Sequence, residues 1–137
     1  MRNKPVTFLL SVVVLMAATL PLAAHHSFSA EFDGTKRVTL EGVIKMMEWV
    51  NPHSWLHFTV TTPEGKIEEW KVEGGSPNVL QRLGWTRNSF PPGTKVKVTG
   101  SPAKDGAKRL NGSVEFPDGR KMSLGGSNPN EAQELKK

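Results

Sequence analysis

The chain has 137 residues, of which 18 are basic and 13 are acidic, so its net charge is +5 with neutral histidines. This length predicts a single domain. The absence of cysteine excludes disulfides and thiolate chemistry, and the small, scattered basic excess argues against a nucleic-acid surface.

Residues 1–24 are typical of a secretory signal peptide, with two basic residues followed by the apolar run 6–20 and small residues. Cleavage after Ala24 is favoured over cleavage after Ala23, which would place a proline at the −3 position. The mature chain then begins at His25. A periplasmic or secreted protein without stable membrane insertion is expected, and an uncleaved anchor is the alternative.

The first half of the mature chain predicts an arm and three strands. Residues 25–36 are interpreted as an extended N-terminal arm, and period-two alternation begins at Arg37. The first strand is expected to turn Val38, Leu40, Gly42, Ile44 and Met46 inward. The second is expected to turn Leu56, Phe58 and Val60 inward and Trp55, His57 and Thr59 outward. The third follows the turn PEGK and is expected to turn Trp70 and Val72 inward and Glu69, Lys71 and Glu73 outward.

The second half predicts one short helix and further strands. Ser76 is a suitable N-cap, Pro77 fits the first helical position and Gly84 suits the C-terminal end. PPGTKVKVTGSP returns to period two, with Val96 and Val98 inward. LNGSVEFPDGRKMSLGG predicts two strand segments around the turn at 117–119. The sequon Asn111-Gly112-Ser113 is interpreted as a turn.

These elements predict a mainly β fold over residues 37–124. The order is that of a small five- to six-stranded OB-like barrel with one short helix between strands 3 and 4. Closure of the sheet would remove its free edges. An open β-sandwich is the alternative. The polar tail 125–137 is predicted to be disordered.

Several segments resemble a family of small exported bacterial proteins that is catalogued as domain of unknown function six-one-five-two. The segments are HHSFSAEFD at 25–33, EWVNPHSW at 48–55, VEGGSPNVLQRLGWTRNS at 72–89, PGTKVKVTG at 92–100 and FPDGRK at 116–121. The resemblance covers nearly the whole mature chain. It implies an exported, barrel-like domain, and it carries over no catalytic residues because none are established.

The four histidines form two short clusters. Residues four apart on one strand lie ~13 Å from each other, so His53 and His57 alone could not chelate an ion whose bonds to nitrogen are about 2.0–2.1 Å. The amine and imidazole of an N-terminal His25, together with His26 and one of the other two, would suit copper(II) or nickel(II). Cleavage after Ala23 would instead give a chain that begins Ala24-His25-His26, with a histidine as its third residue. Such an N-terminus chelates copper or nickel by itself and needs no folded protein. The alternative is that all four are ordinary surface residues.

A ligand face is also predicted around Trp49, Trp55, His53 and His57. Trp55 shares the outer face of its strand with His57 and could stack on a sugar or another flat ligand, because exposed aromatic residues mark the binding face of such barrels. Packing of the N-terminal arm against Trp55 is the alternative. The other two tryptophans are expected in the core.

No nucleophile elbow, paired carboxylates or phosphate loop is recognisable, so no enzymatic activity is expected. The leading interpretation is a non-enzymatic periplasmic binding module for an unknown small ligand or envelope protein. One alternative is a periplasmic protein that binds copper or another transition metal through His25, His26 and either His53 or His57. Another is a structural envelope or partner-docking protein. Nucleic acid is not an expected partner.

Overall fold

The sheet of this chain is built from six strands in a computed structural model that describes residues 28–128. The strands are β1 (Val38–Glu48), β2 (Trp55–Thr61), β3 (Ile67–Glu73), β4 (Lys95–Pro102), β5 (Arg109–Glu115) and β6 (Lys121–Ser123). The helix α1 (Pro77–Arg82) and a 3-10 helix (Arg87–Ser89) lie between β3 and β4. No helix within residues 28–128 has the length and apolar character needed to cross a bilayer.

The sheet closes into a five-stranded barrel with β6 as an additional strand. Its order is β3-β2-β1-β4-β5-β6, and a further pairing of β3 with β5 closes it. That closing pairing is parallel and joins Lys71 to Arg109, Val72 to Leu110 and Glu73 to Asn111. The other five pairings are antiparallel. The predicted OB-like barrel with a short helix after the third strand is confirmed.

The barrel interior holds the inward side chains that the alternation predicts. Leu56, Phe58 and Val72 on neighbouring strands are fully buried. Each such side chain contributes about 1.5–3 kcal/mol by leaving water. Trp85 also lies in the core as predicted, with its ring 4.7 Å from that of Phe90.

One inward residue of β1 is predicted wrongly. Met46 is 46% exposed, and its neighbour Met47 packs against the core instead. The pairing of β1 with β2 shifts between Ile44 and Met46. An extra residue at this β-bulge, Lys45, reverses the alternation beyond it.

The helix and turns follow their sequence signals. Ser76 caps α1, its side chain accepting from the backbone N–H of Val79 at 3.4 Å. Gly84 has φ +87° just beyond the helix, a conformation that favours glycine.

The prediction of a turn at the sequon is wrong, because Asn111-Gly112-Ser113 lies inside β5. A Cβ at Gly112 would lie 2.1 Å from the carbonyl oxygen of Thr99, so glycine permits close approach of β4 and β5.

The N-terminal arm docks on the end of β4 and β5. Residues 28–31 form a helical turn rather than extended chain. The turn is stabilised by stacking of Phe28 on Phe32, whose rings lie 5.9 Å apart. Phe32 is 1% exposed and bridges to Ala103, and the backbone N–H of Asp33 donates to Pro102 at 2.9 Å.

A C-terminal segment, residues 124–128, covers the ends of β3 and β5. The backbone N–H of Gly75 donates to the carbonyl of Leu124 at 2.8 Å, and Leu124 is fully buried. Residues 125–128 of the predicted tail therefore pack on the barrel. Residues 129–137 and the predicted signal peptide, 1–24, lie outside the described residues.

Candidate functional site

The predicted site residues include His25 and His26, which lie outside the described residues. The other four lie in or beside the bend between β1 and β2. This bend, residues 49–54, contains a cis peptide bond between Asn51 and Pro52. Its end is held to the chain after β3, because Ser54 donates its N–H to Gly75 and accepts from Gly74.

His53 leaves the bend toward a buried carboxylate. Its Nδ1 lies 2.8 Å from Oε1 of Glu73, and the Glu73 side chain is 6% exposed whereas that of His53 is 39% exposed. Nδ1 itself is buried, and its N–H direction departs from that of an aligned hydrogen bond. The contact is therefore a close electrostatic one. Among residues 28–128, no polar group contacts the other ring nitrogen, Nε2.

The second oxygen of Glu73 has partners on β5 and on the C-terminal segment. Asn111 donates its side-chain amide to Oε2 at 2.5 Å, and Ser127 donates its hydroxyl at 3.0 Å. Both partners also contact each other at 3.0 Å. Oδ1 of Asn111 is buried with no hydrogen-bond partner within residues 28–128. Glu73, His53, Asn111 and Ser127 are called the Glu73 cluster below.

Trp55 lies on the outer face of the barrel, as predicted, and is half-buried. The ammonium of Lys71 lies over its indole ring, 4.3 Å from the centroid. Such a cation–π contact contributes about 0.5–1 kcal/mol at an exposed site. One face of the ring is thus covered by a side chain that has the freedom to move aside.

His57 shares that outer face, but both of its ring nitrogens have acidic neighbours. Nε2 lies 3.0 Å from Glu48, and Nδ1 lies 3.5 Å from Glu69. The side chain is 19% exposed. Because the two nitrogens point in opposite directions, these carboxylates cannot join His57 around one ion.

A groove of about 610 Å³ lies beside this face, and its lining includes His57, Lys71, Trp70 and Arg109. Acidic side chains in and around the groove are paired with basic ones. The pKa of Glu69 is lowered mainly by its hydrogen bond to Lys45. The charge of Lys45 and the contact with His57 lower it further. Hydrogen bonding from Lys108 and then from Trp70 lowers the pKa of Glu68 in the same way.

Trp49 is placed differently from Trp55. It packs against the hydrophobic core, and the guanidinium of Arg87 lies 5.7 Å from its ring centroid. Of the predicted ligand face, the structure therefore brings Trp55 and His57 together on adjacent outward positions of β2. His53 lies at the entrance to that strand.

No group of three or more acidic or histidine side chains that could hold a metal ion occurs within residues 28–128. A metal bound to His53 would need ligands from elsewhere in the chain. The carboxylates of the arm are engaged, since Glu31 contacts Arg109 at 3.3 Å and Asp33 contacts Lys36 at 3.1 Å.

The Glu73 cluster is not apparent from the sequence. Alternation predicts the position of Glu73 on the outer face of β3 correctly, but it does not indicate that Glu73 is buried there. A carboxylate this deeply buried is rare without partners. The partners, Asn111 and Ser127, come from β5 and the chain end, so no local pattern indicates them.

The sequence profile of a family described as a family of unknown function (DUF6152) matches residues 12–112. This match confirms the resemblance drawn from the sequence segments. No curated protein matches the chain, and no solved structure matches it.

Proposed function

Because the chain belongs to this family of unknown function (DUF6152), we propose its function from the site itself. It is a non-enzymatic, exported binding module that takes a small organic ligand on the outer face of β2 and β3. Export is proposed from the signal-like residues 1–24. The barrel supplies a rigid frame for the ligand face.

The observation that carries this proposal is the placement of Trp55 beside the groove. Its ring lies under Lys71, and Lys71 also lines the groove with His57 and Arg109. An aromatic ring flanked by paired acidic and basic groups suits a ring-shaped ligand with polar substituents, because the ring packs while the charges bind the substituents. Lys71 would move from Trp55 to a ligand acceptor.

The test is a fluorescence titration of the mature protein with soluble, ring-containing components of the cell envelope, such as saccharides and peptidoglycan fragments. A ligand of this face changes tryptophan emission, and Trp55→Phe removes the response. A response that persists unchanged in Trp55→Phe, or a broad panel without any response, would refute the proposal.

Lys71→Met and Lys97→Met form a matched pair for this titration. Both remove one ammonium group, but Lys97 lies on β4 beside Glu41, away from Trp55. Only Lys71→Met should weaken binding. Equal effects of the two substitutions would indicate a non-specific charge effect.

A second candidate function is transition-metal binding, and the contact of His53 with Glu73 favours it. Histidines that bind metals commonly donate their second ring N–H to a carboxylate. Nδ1 of His53 lies 2.8 Å from such a carboxylate, although its N–H is not aligned with it, and Nε2 has no polar contact within residues 28–128. His57 is a poorer candidate because both of its nitrogens lie against carboxylates.

In this candidate function, His53 would bind the ion together with His25 and His26. Glu31 of the arm contacts Arg109, which lies two residues before Asn111 on the same face of β5, about 7 Å away. Three residues of the proposed mature chain precede the first described residue, and three residues span at most about 11 Å. Copper(II) or nickel(II) would suit such nitrogen ligands.

A copper(II) titration of protein cleaved in the periplasm, with intact mass measured on the same sample, tests this candidate. Tight one-to-one binding that is lost in His25→Ala and in His53→Ala would support it, with His57→Ala as the control. Unchanged affinity in His25→Ala would remove it. If neither titration shows binding, a structural or partner-docking role becomes the proposed function.

A further inference from the structure

Lys71 lies at the centre of a row of basic side chains on the outer face of the barrel. His57 of β2 is paired with Lys71 of β3, and Lys71 is paired with Arg109 of β5. All three residues line the groove of about 610 Å³. Neighbouring strands are about 4.7–4.9 Å apart, so a ligand in this groove meets Lys71 with a basic neighbour on either side.

Every other charged side chain that lines the groove has a partner of opposite charge within residues 28–128. These pairs are Arg109 with Asp105 at 2.8 Å, Lys108 with Glu68 at 2.7 Å and Glu69 with Lys45 at 2.7 Å. His57 lies between Glu48 and Glu69. Each pair cancels most of its own field, so the paired groups contribute little preference for the charge of a ligand.

Lys71 differs from these residues, because its ammonium has no carboxylate partner within residues 28–128. The ammonium contacts the indole ring of Trp55 instead, 4.3 Å from the centroid. Such a contact is weaker than a hydrogen bond between two charged groups. The Lys71 side chain is also half-buried, and partial loss of water strengthens its attraction to an anion. Lys71 is therefore the unmatched charge of the groove.

We infer that the ligand face prefers sugar rings that carry one carboxylate, which Lys71 binds while Trp55 packs against the ring. This inference rests on the function proposed first and names the class of its ligand. One unmatched positive charge is complementary to one negative charge. The flexible stem of Lys71 lets the ammonium leave the indole face and pair with a carboxylate at the edge of the bound ring.

The same arrangement disfavours rings of other charge. A neutral ring that packs on Trp55 displaces Lys71 from the indole and offers it no charge in return. A cationic ring is repelled by Lys71 and by Arg109. A phosphate monoester carries a charge of about −1.5 to −2, which is more than one ammonium matches, since Arg109 is already paired with Asp105.

The first test compares four related sugars, glucuronate, glucose, glucose 6-phosphate and glucosamine. Each is titrated into the mature protein at neutral pH and equal ionic strength, and tryptophan emission is recorded. Glucuronate should bind about 10-fold more tightly than glucose, as a hydrogen bond between charged groups predicts, and more tightly than the other two. The preference should shrink as salt is added, because salt screens the attraction.

Three lysine variants test whether Lys71 is the source of the preference. Lys71→Met keeps an apolar chain of similar length but loses the charge, so the affinities for glucuronate and glucose should become nearly equal. Lys71→Arg keeps the charge and should retain most of the preference. Lys97→Met removes an ammonium beside Glu41 on β4 and should leave the preference unchanged. An unchanged preference in Lys71→Met, or equal losses in Lys71→Met and Lys97→Met, would overturn the inference.

The comparison of the four sugars decides the inference even if a variant does not fold, and it separates this inference from the proposed function. Equal binding of glucuronate and glucose, or tighter binding of glucosamine or glucose 6-phosphate, would overturn the carboxylate preference. If Trp55→Phe removes that response, the ligand face still stands. The same holds if none of the four sugars binds but another ring compound of the panel does. The absence of any Trp55-dependent binding across the panel would overturn both proposals.

Discussion

Lys45 and Glu69 form an ion pair that crosses a whole strand. Their charged atoms lie 2.7 Å apart, and the pair joins β1 to β3 over the outer face of β2. Lys45 is the extra residue of the β-bulge, so the irregularity in β1 places its ammonium where it reaches the third strand. Glu69 also approaches His57, and the ion pair therefore borders the proposed ligand face.

Lys45→Met should raise the pKa of Glu69 toward its ordinary value of 4.5, because the hydrogen bond to Lys45 is the main cause of its lowering. The folded-state pKa lies below the unfolded one. The contribution of the ion pair to the free energy of unfolding is therefore present at neutral pH. It is lost as the pH falls through the folded-state pKa of Glu69. Side-chain carboxyl NMR titration measures the shift. Lys97→Met should leave Glu69 unchanged, and Tm should change little because exposed pairs contribute little.

Gly42→Ala should destabilise the barrel by about 1–3 kcal/mol, the usual cost of overpacking. Its Cβ would lie 2.5 Å from the carbonyl oxygen of Thr59 and 2.8 Å from the ring of Phe58. Urea unfolding followed by far-UV circular dichroism measures the free energy. Glu41→Ala on the same strand is the control, since its side chain is 80% exposed. Equal midpoints for the two variants would show that β1 has room to shift.

Phe32→Ala should detach the N-terminal arm and cost about 3–5 kcal/mol. Phe32 is 1% exposed, and its ring lies 5.8 Å from the guanidinium of Arg109. Limited proteolysis of the mature protein should then cut near residue 36, while the barrel stays protected. Ile67→Ala removes a large apolar side chain that is 69% exposed and should have little effect. Resistance of Phe32→Ala to proteolysis would argue that other contacts hold the arm.

Acid should loosen the turn at the end of the N-terminal arm. The hydroxyl of Thr35 and then Lys36 hold the pKa of Asp33 at about 2, below its ordinary 3.8. Because the pKa of Asp33 is lower in the folded state, ionised Asp33 stabilises the fold. This contribution to stability is complete above about pH 4 and is lost as the pH falls through about 2. Thr35→Val removes the hydroxyl and should raise the pKa in a carboxyl NMR titration. Thr39→Val, another exposed threonine, should not change it.

Alternation in the sequence was sufficient to predict which side of β2 faces the core. Leu56 and Phe58 are apolar at every second position, and a closed barrel must bury such a face. The alternation could not reveal the bulge in β1, because Met46 and Met47 are both apolar and either could face inward. The choice depends on the pairing with β2, which is a tertiary interaction.

The candidate site was predictable only where it depends on a single strand. Trp55 and His57 were placed on one outer face because they are two residues apart. The Glu73 cluster depends on the pairing of β3 with β5 and on residue 127, which lies 54 positions from Glu73. No periodic pattern encodes a contact between segments so distant in the chain.

The parallel pairing of β3 with β5 has a consequence for how this protein would report a ligand. Closure of the barrel there depends on three residue pairs, and the last of them joins Glu73 to Asn111. The same two side chains belong to the Glu73 cluster, which His53 contacts through Nδ1. A ligand that binds the folded form through His53 would therefore strengthen the seam of the barrel, and thermal unfolding alone would register its binding.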